Sequence, residues 1–268
     1  MNLVALGKFL FVVALLAAAC GAIPSDTLRG GGGDGQEYVA MLADARARFD
    51  ATPRNEESVR SAAAAFARAL AIRADEYDAL CDAARACAWL GEYMPGREQR
   101  RPIIREGILY ANTALALQPR GVEARFYHGV LAGLLGDVDH DYGLDAARTV
   151  ESDMKALIAQ EADIARAGPW RVLGTLYVRA PGPPTSVGSL RNARKMLTAA
   201  IEKAPAWPEN HLYMAELETG GDQLGNEHSA RQRLEKHLLG PDARAPAGYE
   251  FEFAAWQEKA RDLLAKRK

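Results

Sequence analysis

Cysteine is nearly absent from this chain, three in 268 residues, which removes disulfide-stapled scaffolds from consideration. Cys81 and Cys87 fall on one expected helix. Six residues rise about 9 Å and turn the two side chains to different faces, so they cannot pair and are expected as buried free thiols. Neither has the Cys-x2-Cys or paired-histidine company of a metal site. Aromatic residues are sparse, at 7%, while alanine is abundant, and small side chains favour closely packed helices over sheet. Neither sign of charge is in excess: 33 basic residues stand against 35 acidic ones, a net charge of −2. That balance implies no basic surface for nucleic acid, and losing a leader charged only at Lys8 would make the rest one unit more negative. The apolar run from Phe9 to Leu16 is too short to span a membrane as a mature helix.

Catalytic constellations are also wanting. No Ser/His/Asp set, metal-ligand cluster or phosphate-cradling loop stands at useful spacing, and His128, His140, His211, His228 and His237 are scattered among helix and turn positions. The run Gly30 to Gly33 lacks both a Lys-Ser/Thr ending and a preceding strand. The acids around His140, in Gly136-Asp-Val-Asp-His-Asp-Tyr-Gly143, miss the spacing and the terminal glutamate of a calcium loop, and read better as a helix-capping turn. No enzyme activity, cofactor or metal is expected.

What is present begins with an export leader. Lys8 closes a short n-region, residues 9–16 form the apolar run, and Ala17-Ala18-Ala19-Cys20 ends it. A lipoprotein signal is expected over residues 1–19, with Cys20 acylated as the first mature residue and membrane anchor. The usual leucine three places before the cysteine is here Ala17, with Leu16 one further back, so plain secretion with a nearby cut stays open. Gly21 in place of aspartate fits, by the enteric sorting rule, delivery to the outer membrane. Residues 20–36, rich in Ser, Asp, Thr and Gly, are expected as a lipidated flexible tether.

The most informative stretch runs from Trp170 to Pro205. It opens Trp170-x2-Leu173-Gly174-x2-Tyr177 and closes Ala193-x3-Leu197-x2-Ala200 before Pro205, the order of a tetratricopeptide helix pair. Trp170, Leu173, Gly174 and Tyr177 share one helical stripe, where Gly174 lets a second helix approach closely. Ala193, Leu197 and Ala200 form the answering stripe, and Pro205 stops it. Between them, the insertion Ala180-Pro-Gly-Pro-Pro-Thr-Ser-Val-Gly188 forbids helix, and Ser189 is the expected N-cap of a helix over 190–203.

Weaker copies of the two stripes flank this pair. Ala62, Phe66 and Ala69 sit at second-stripe spacing in a helix over 56–72. Leu80, Ala83, Ala84 and Cys87 read as a first stripe, answered by Ala111 and Ala114. Between those two, residues 93–102 form an expected insertion whose Arg97, Arg100 and Arg101 make a local basic patch, read as a solvated loop or as an anion or partner contact. Further helices are expected over 38–50, 122–135, 144–166 and 208–218. Ala230, Leu234 and His237 continue the second stripe after a turn at Gly220-Gly221-Asp222. An amphipathic helix over 249–268 is expected to cap the stack. The fold class is therefore all-α, with antiparallel helix pairs stacked as a tetratricopeptide-like right-handed superhelix over residues 37–248.

Arg171-Val-Leu-Gly-Thr-Leu-Tyr177, Ala180-Pro181, Pro184, Ser186 and Gly188, then Pro205 and Asn210-His-Leu-Tyr-Met-Ala-Glu216, together resemble the T-component (TatT) family. These are bacterial periplasmic lipoproteins associated with tripartite ATP-independent periplasmic (TRAP) transporters. The resemblance implies a periplasmic accessory that docks the transporter's solute-binding subunit and holds a small or hydrophobic ligand. Arg171, Tyr177, Pro181, Pro184, Ser186 and Asn210 are the ligand or partner contacts expected on that basis, at the border of a concave face. Self-association is left open. The alternative is a general envelope-assembly scaffold lipoprotein that binds proteins through its repeats.

Overall fold

The computed structural model describes residues 33–220 and 226–265. The leader, Cys20, most of the tether, and Gly221 and Asp222 of the expected turn lie outside the described residues. The chain divides into Met1–Glu37 and Tyr38–Lys268. Of the first unit only the opening of one helix is described; the second unit holds the helical stack.

Every regular element among the described residues is helical: α1 (Gly33–Phe49), α2 (Glu56–Ile72), α3 (Tyr77–Tyr93), α4 (Arg97–Leu117), α5 (Val122–Val138), α6 (Gly143–Ala159), α7 (Gly168–Arg179), α8 (Leu190–Lys203), α9 (Pro208–Thr219), α10 (Glu227–Leu234) and α11 (Glu250–Ala265). A 3-10 turn, His140–Tyr142, precedes α6, and a π turn, Glu235–Leu239, extends α10. Each helix from α2 to α9 packs on the next, and α3, α5, α7 and α9 also touch one another in succession. Short loops make sequence neighbours antiparallel, so these four alternate helices run the same way in an inner layer. The helices between them lie outside it.

The stripes read from the sequence are the contacts that build this stack. Ala62, Phe66, Ala69, Ala111, Ala114, Ala193, Leu197, Ala200, Ala230 and Leu234 are all fully buried, at 0% exposure. Small residues there bring helix axes close, and each buried leucine or phenylalanine stabilises the stack by about 1.5 to 3 kcal/mol. At Gly174 the crossing is close: a Cβ there would lie 2.7 Å from Leu197 Cγ. Ser189 caps α8 as expected, its Oγ accepting from Asn192 N at 3.3 Å, and Cys81 and Cys87 are buried free thiols.

Several boundaries differ from the sequence reading. α1 begins at Gly33, inside the expected tether. The expected insertion at 93–102 shrinks to a short turn through Gly96, at φ 81°, and Pro102 sits inside α4. Its arginines cap other helices: Arg97 Nη2 donates to Asp137 O at 2.6 Å, Arg100 Nη1 to Gly91 O at 3.1 Å and Arg101 Nη2 to Val138 O at 3.4 Å. The patch thus satisfies the carbonyls that α3 and α5 leave open at their C-terminal ends.

The helix expected over 144–166 ends at Ala159. Beyond it Ala165, Arg166 and Ala167 all turn left-handed, at φ 52°, 54° and 63°. Such backbone costs about 1 kcal/mol or more per non-glycine residue, so tertiary contacts must hold it. The C-terminal helix does more than cap. α11 packs on α9 and the π turn, and it also reaches the first repeats. Glu252 accepts from Trp89 Nε1 at 2.8 Å and from Arg54 Nη1 at 2.5 Å, while the Phe251 ring meets Trp89 at 5.1 Å.

Candidate binding hollow

The inner layer and α11 enclose a hollow of about 510 Å³. Each inner helix presents to it a second stripe, rotated from the one that packs the pair. On α3 the stripe is Arg85, Ala88, Trp89, Glu92 and Tyr93; on α5 it is Tyr127, Val130, Leu134 and Asp137. On α7 it is Val172, Thr175, Leu176 and Arg179, and on α9 it is Glu209 and Tyr213. The spacings are i, i+3, i+4, i+7, which keep one face of a helix turned one way. Tyr249, just before α11, and Glu252 and Trp256 of α11 also line it. A pocket of this size with apolar walls and a few placed polar groups suits a small ligand or an inserted side chain.

Polar groups in the wall are organised in pairs. Arg179 forks onto Glu216, with Nε to Oε1 at 2.8 Å and Nη2 to Oε2 at 3.0 Å. Lys259 Nζ reaches the same carboxylate at 3.5 Å and stands 4.3 Å from the centre of the Tyr213 ring. Burial works to raise the Glu216 carboxyl, yet the hydrogen bond from Arg179 and the charge of Lys259 outweigh it and hold it below the usual carboxylate range. Burial lowers Lys259, helped by the charge of Arg179. Glu92 lines the hollow and keeps solvent-exposed surface; crowding by the surrounding protein raises its carboxyl from the ordinary value. Burial likewise pushes the Tyr93 and Tyr213 hydroxyls well above the usual tyrosine value. Both rings present neutral hydroxyls at physiological pH.

Of the residues expected to bind, the structure brings two together. Arg171 is buried at 6% exposure and Asn210 at 0%. Arg171 Nη1 donates to Asn210 Oδ1 at 2.9 Å and to Arg166 O at 3.0 Å; Nη2 donates to Ala165 O at 3.1 Å, and Nε pairs with Glu209 at 3.0 Å. Asn210 Nδ2 donates to Ala200 O at 3.0 Å and Ala204 O at 3.1 Å. This network supplies the contacts that hold the left-handed turn, and Arg171 lines the hollow while Asn210 lies behind it. Tyr177 turns away, its hydroxyl donating to Glu151 at 2.8 Å. Pro181 and Pro184 are exposed and Ser186 half-buried, all in the loop after α7, and none of the three lines the hollow. That loop closes on itself through Gly188 N to Pro181 O at 2.9 Å.

A larger opening of about 790 Å³ lies among the loops before α7, α9 and α11, and shares Arg166 and Trp207 with the hollow. The sequence reading missed Trp89, Tyr93, Tyr127, Tyr213 and Arg179. Their signal was available as the second i, i+4, i+7 stripe on each first helix, hidden behind the stronger alanine and glycine stripe. Compared with known protein families and with curated proteins, the chain matches none.

Proposed function

We propose that this chain is a helical-repeat binding protein, the periplasmic accessory of a TRAP transporter, whose aromatic hollow receives a small or hydrophobic ligand beside the docked solute-binding subunit. The observation that carries the reading is the hollow itself. Four parallel helices each spend one stripe on packing and a second on a shared apolar surface with tyrosine hydroxyls and paired charges. Extended concave faces of stacked helix pairs bind chains and ligands through such surfaces. The transporter link rests on the resemblance of residues 171–216 to T-component lipoproteins, and the anchor on acylation of Cys20.

Nothing in this reading asks for bond chemistry. The buried thiols are poor nucleophiles, since burial pushes Cys81 up to about 12 and Cys87 higher still. Purification of the protein from crosslinked cells tests the proposal: recovery of a periplasmic solute-binding subunit supports it, and consistent recovery of assembly machinery alone rejects it. In parallel, Cys20→Ala moves the protein from the membrane to the soluble fraction; a variant that stays on the membrane refutes the anchor.

A further inference from the structure

We propose that the stacked pair His211 and His237 is an acid-sensitive latch that seats the C-terminal helix α11 against the wall of the hollow. The two rings lie parallel, with centroids 3.5 Å apart and planes inclined by 4°. His211, on α9, donates from Nε2 to the Pro205 carbonyl at 2.6 Å. A carbonyl only accepts, so Nδ1 is the bare nitrogen of the neutral ring, and it faces Arg233 Nη1 at 3.4 Å. His237 is carried into place by the π turn Glu235–Leu239, which rotates it relative to the α10 stripe.

A proton arriving at this pair meets more positive charge than negative. Arg233 and Lys236 act on both rings, and Glu218 of α9 is the opposing acid. Glu218 is already engaged: Arg233 forks onto it at 3.1 and 3.0 Å, and Ser229 Oγ donates to it at 3.2 Å. From α11 the group facing the π turn is the uncharged Gln257 amide, whose Nε2 donates to Leu238 O at 2.7 Å. Burial lowers both histidines, first among the causes, and His237 is pushed down to about 4.

The latch is coupled to the hollow through one packed cluster. Leu234 and Leu238 of the α10 and π segment pack with Phe253, Trp256 and Ala260 of α11. The same helix sends Glu252 to Trp89 and Arg54 on the far side of the hollow. An undocked latch has ordinary histidines, with pKa near about 6.5. As pH falls below that value the undocked state takes up protons that the docked state refuses, so docking weakens and the α11 wall loosens. The consequence for ligand entry rests on the proposed role of the hollow, whereas the latch does not.

Hydrogen exchange on the ligand-free full chain tests the latch independently of any ligand. Rates at roughly pH 7.5 and roughly pH 5.5, corrected for intrinsic exchange, are compared for peptides of α11 and, as internal reference, α4. The expected result is α11 exchange about tenfold faster at the lower pH with α4 unchanged, the factor that one pKa unit supplies. His237→Phe keeps a ring on His211 but takes no proton, and it reduces the difference to what His211 alone supplies; His237→Asn does the same should the bulkier ring not pack. Unchanged α11 exchange in the native chain, equal acceleration in α4, or undiminished acceleration in the His237 variants overturns the proposal.

Discussion

Arg171 and Asn210 meet at 2.9 Å inside the protein, 39 residues apart in the chain. The same guanidinium grips the carbonyls of Ala165 and Arg166 and the carboxylate of Glu209, so one side chain ties α7, α9 and the left-handed turn together. Arg171→Ala leaves Glu209 and the turn carbonyls without their donor and is expected to destabilise the fold by about 3 to 5 kcal/mol. Arg171→Lys recovers less than half of that, because an ammonium cannot reproduce the fork. Urea unfolding measures both. Equal stability of the lysine variant and the native chain would show that the fork does not hold the turn.

Two glycines of this fold respond in opposite directions to the same change. Gly174→Ala places a Cβ 2.7 Å from Leu197 Cγ and 3.3 Å from its backbone nitrogen, and is expected to cost about 1 to 3 kcal/mol through overpacking. Gly143→Ala at the start of α6 meets nothing within 4 Å and is expected to stabilise by up to about 1 kcal/mol through helix propensity. Thermal melts of the two variants give the signs. A neutral Gly174→Ala would mean that α7 and α8 do not cross in contact there.

The pH dependence of stability carries the mark of Glu216. Its folded pKa lies below the unfolded value, despite burial, because Arg179 and Lys259 favour the charged form. Above about pH 4.3, the ordinary glutamate value, both states are ionised and the stabilisation is fully present. Below it the unfolded chain binds the proton first, and the stabilisation is lost as pH falls through the folded pKa. Glu216→Gln is therefore expected to be less stable at neutral pH by about 1 to 3 kcal/mol and to show a flatter decline below about pH 4.3. Urea unfolding across that range checks both. A decline as steep as the native one would place the acid-labile pair elsewhere.

The legible part of this fold was the part written in local repeats. Trp170, Leu173 and Gly174 declare a helix that must meet Ala193, Leu197 and Ala200, because no other arrangement buries both stripes so closely. Two things were not local. The alanine-rich segment ending at Ala167 carries helix propensity throughout, yet it turns left-handed where Arg171 and, from 44 residues beyond Arg166, Asn210 take its carbonyls. The path of α11 across to Trp89, 163 residues before Glu252, is likewise invisible in its amphipathic pattern, which fits an end cap equally well. The hollow was half legible. Its stripes obey helical periodicity, but their mixture of arginine, glutamate and tyrosine resembles a solvated face until the inner helices bring them together.

The central claim is that the hollow, and not the outer surface, is where this protein meets its partner or ligand. Site-specific photocrosslinking in cells tests it most directly, with the reactive group placed at Tyr213 inside the hollow or at Leu109, which is 60% exposed on α4. Capture of the periplasmic solute-binding subunit or its ligand from Tyr213 and not from Leu109 is the predicted result. Capture from Leu109 with none from Tyr213 would contradict it.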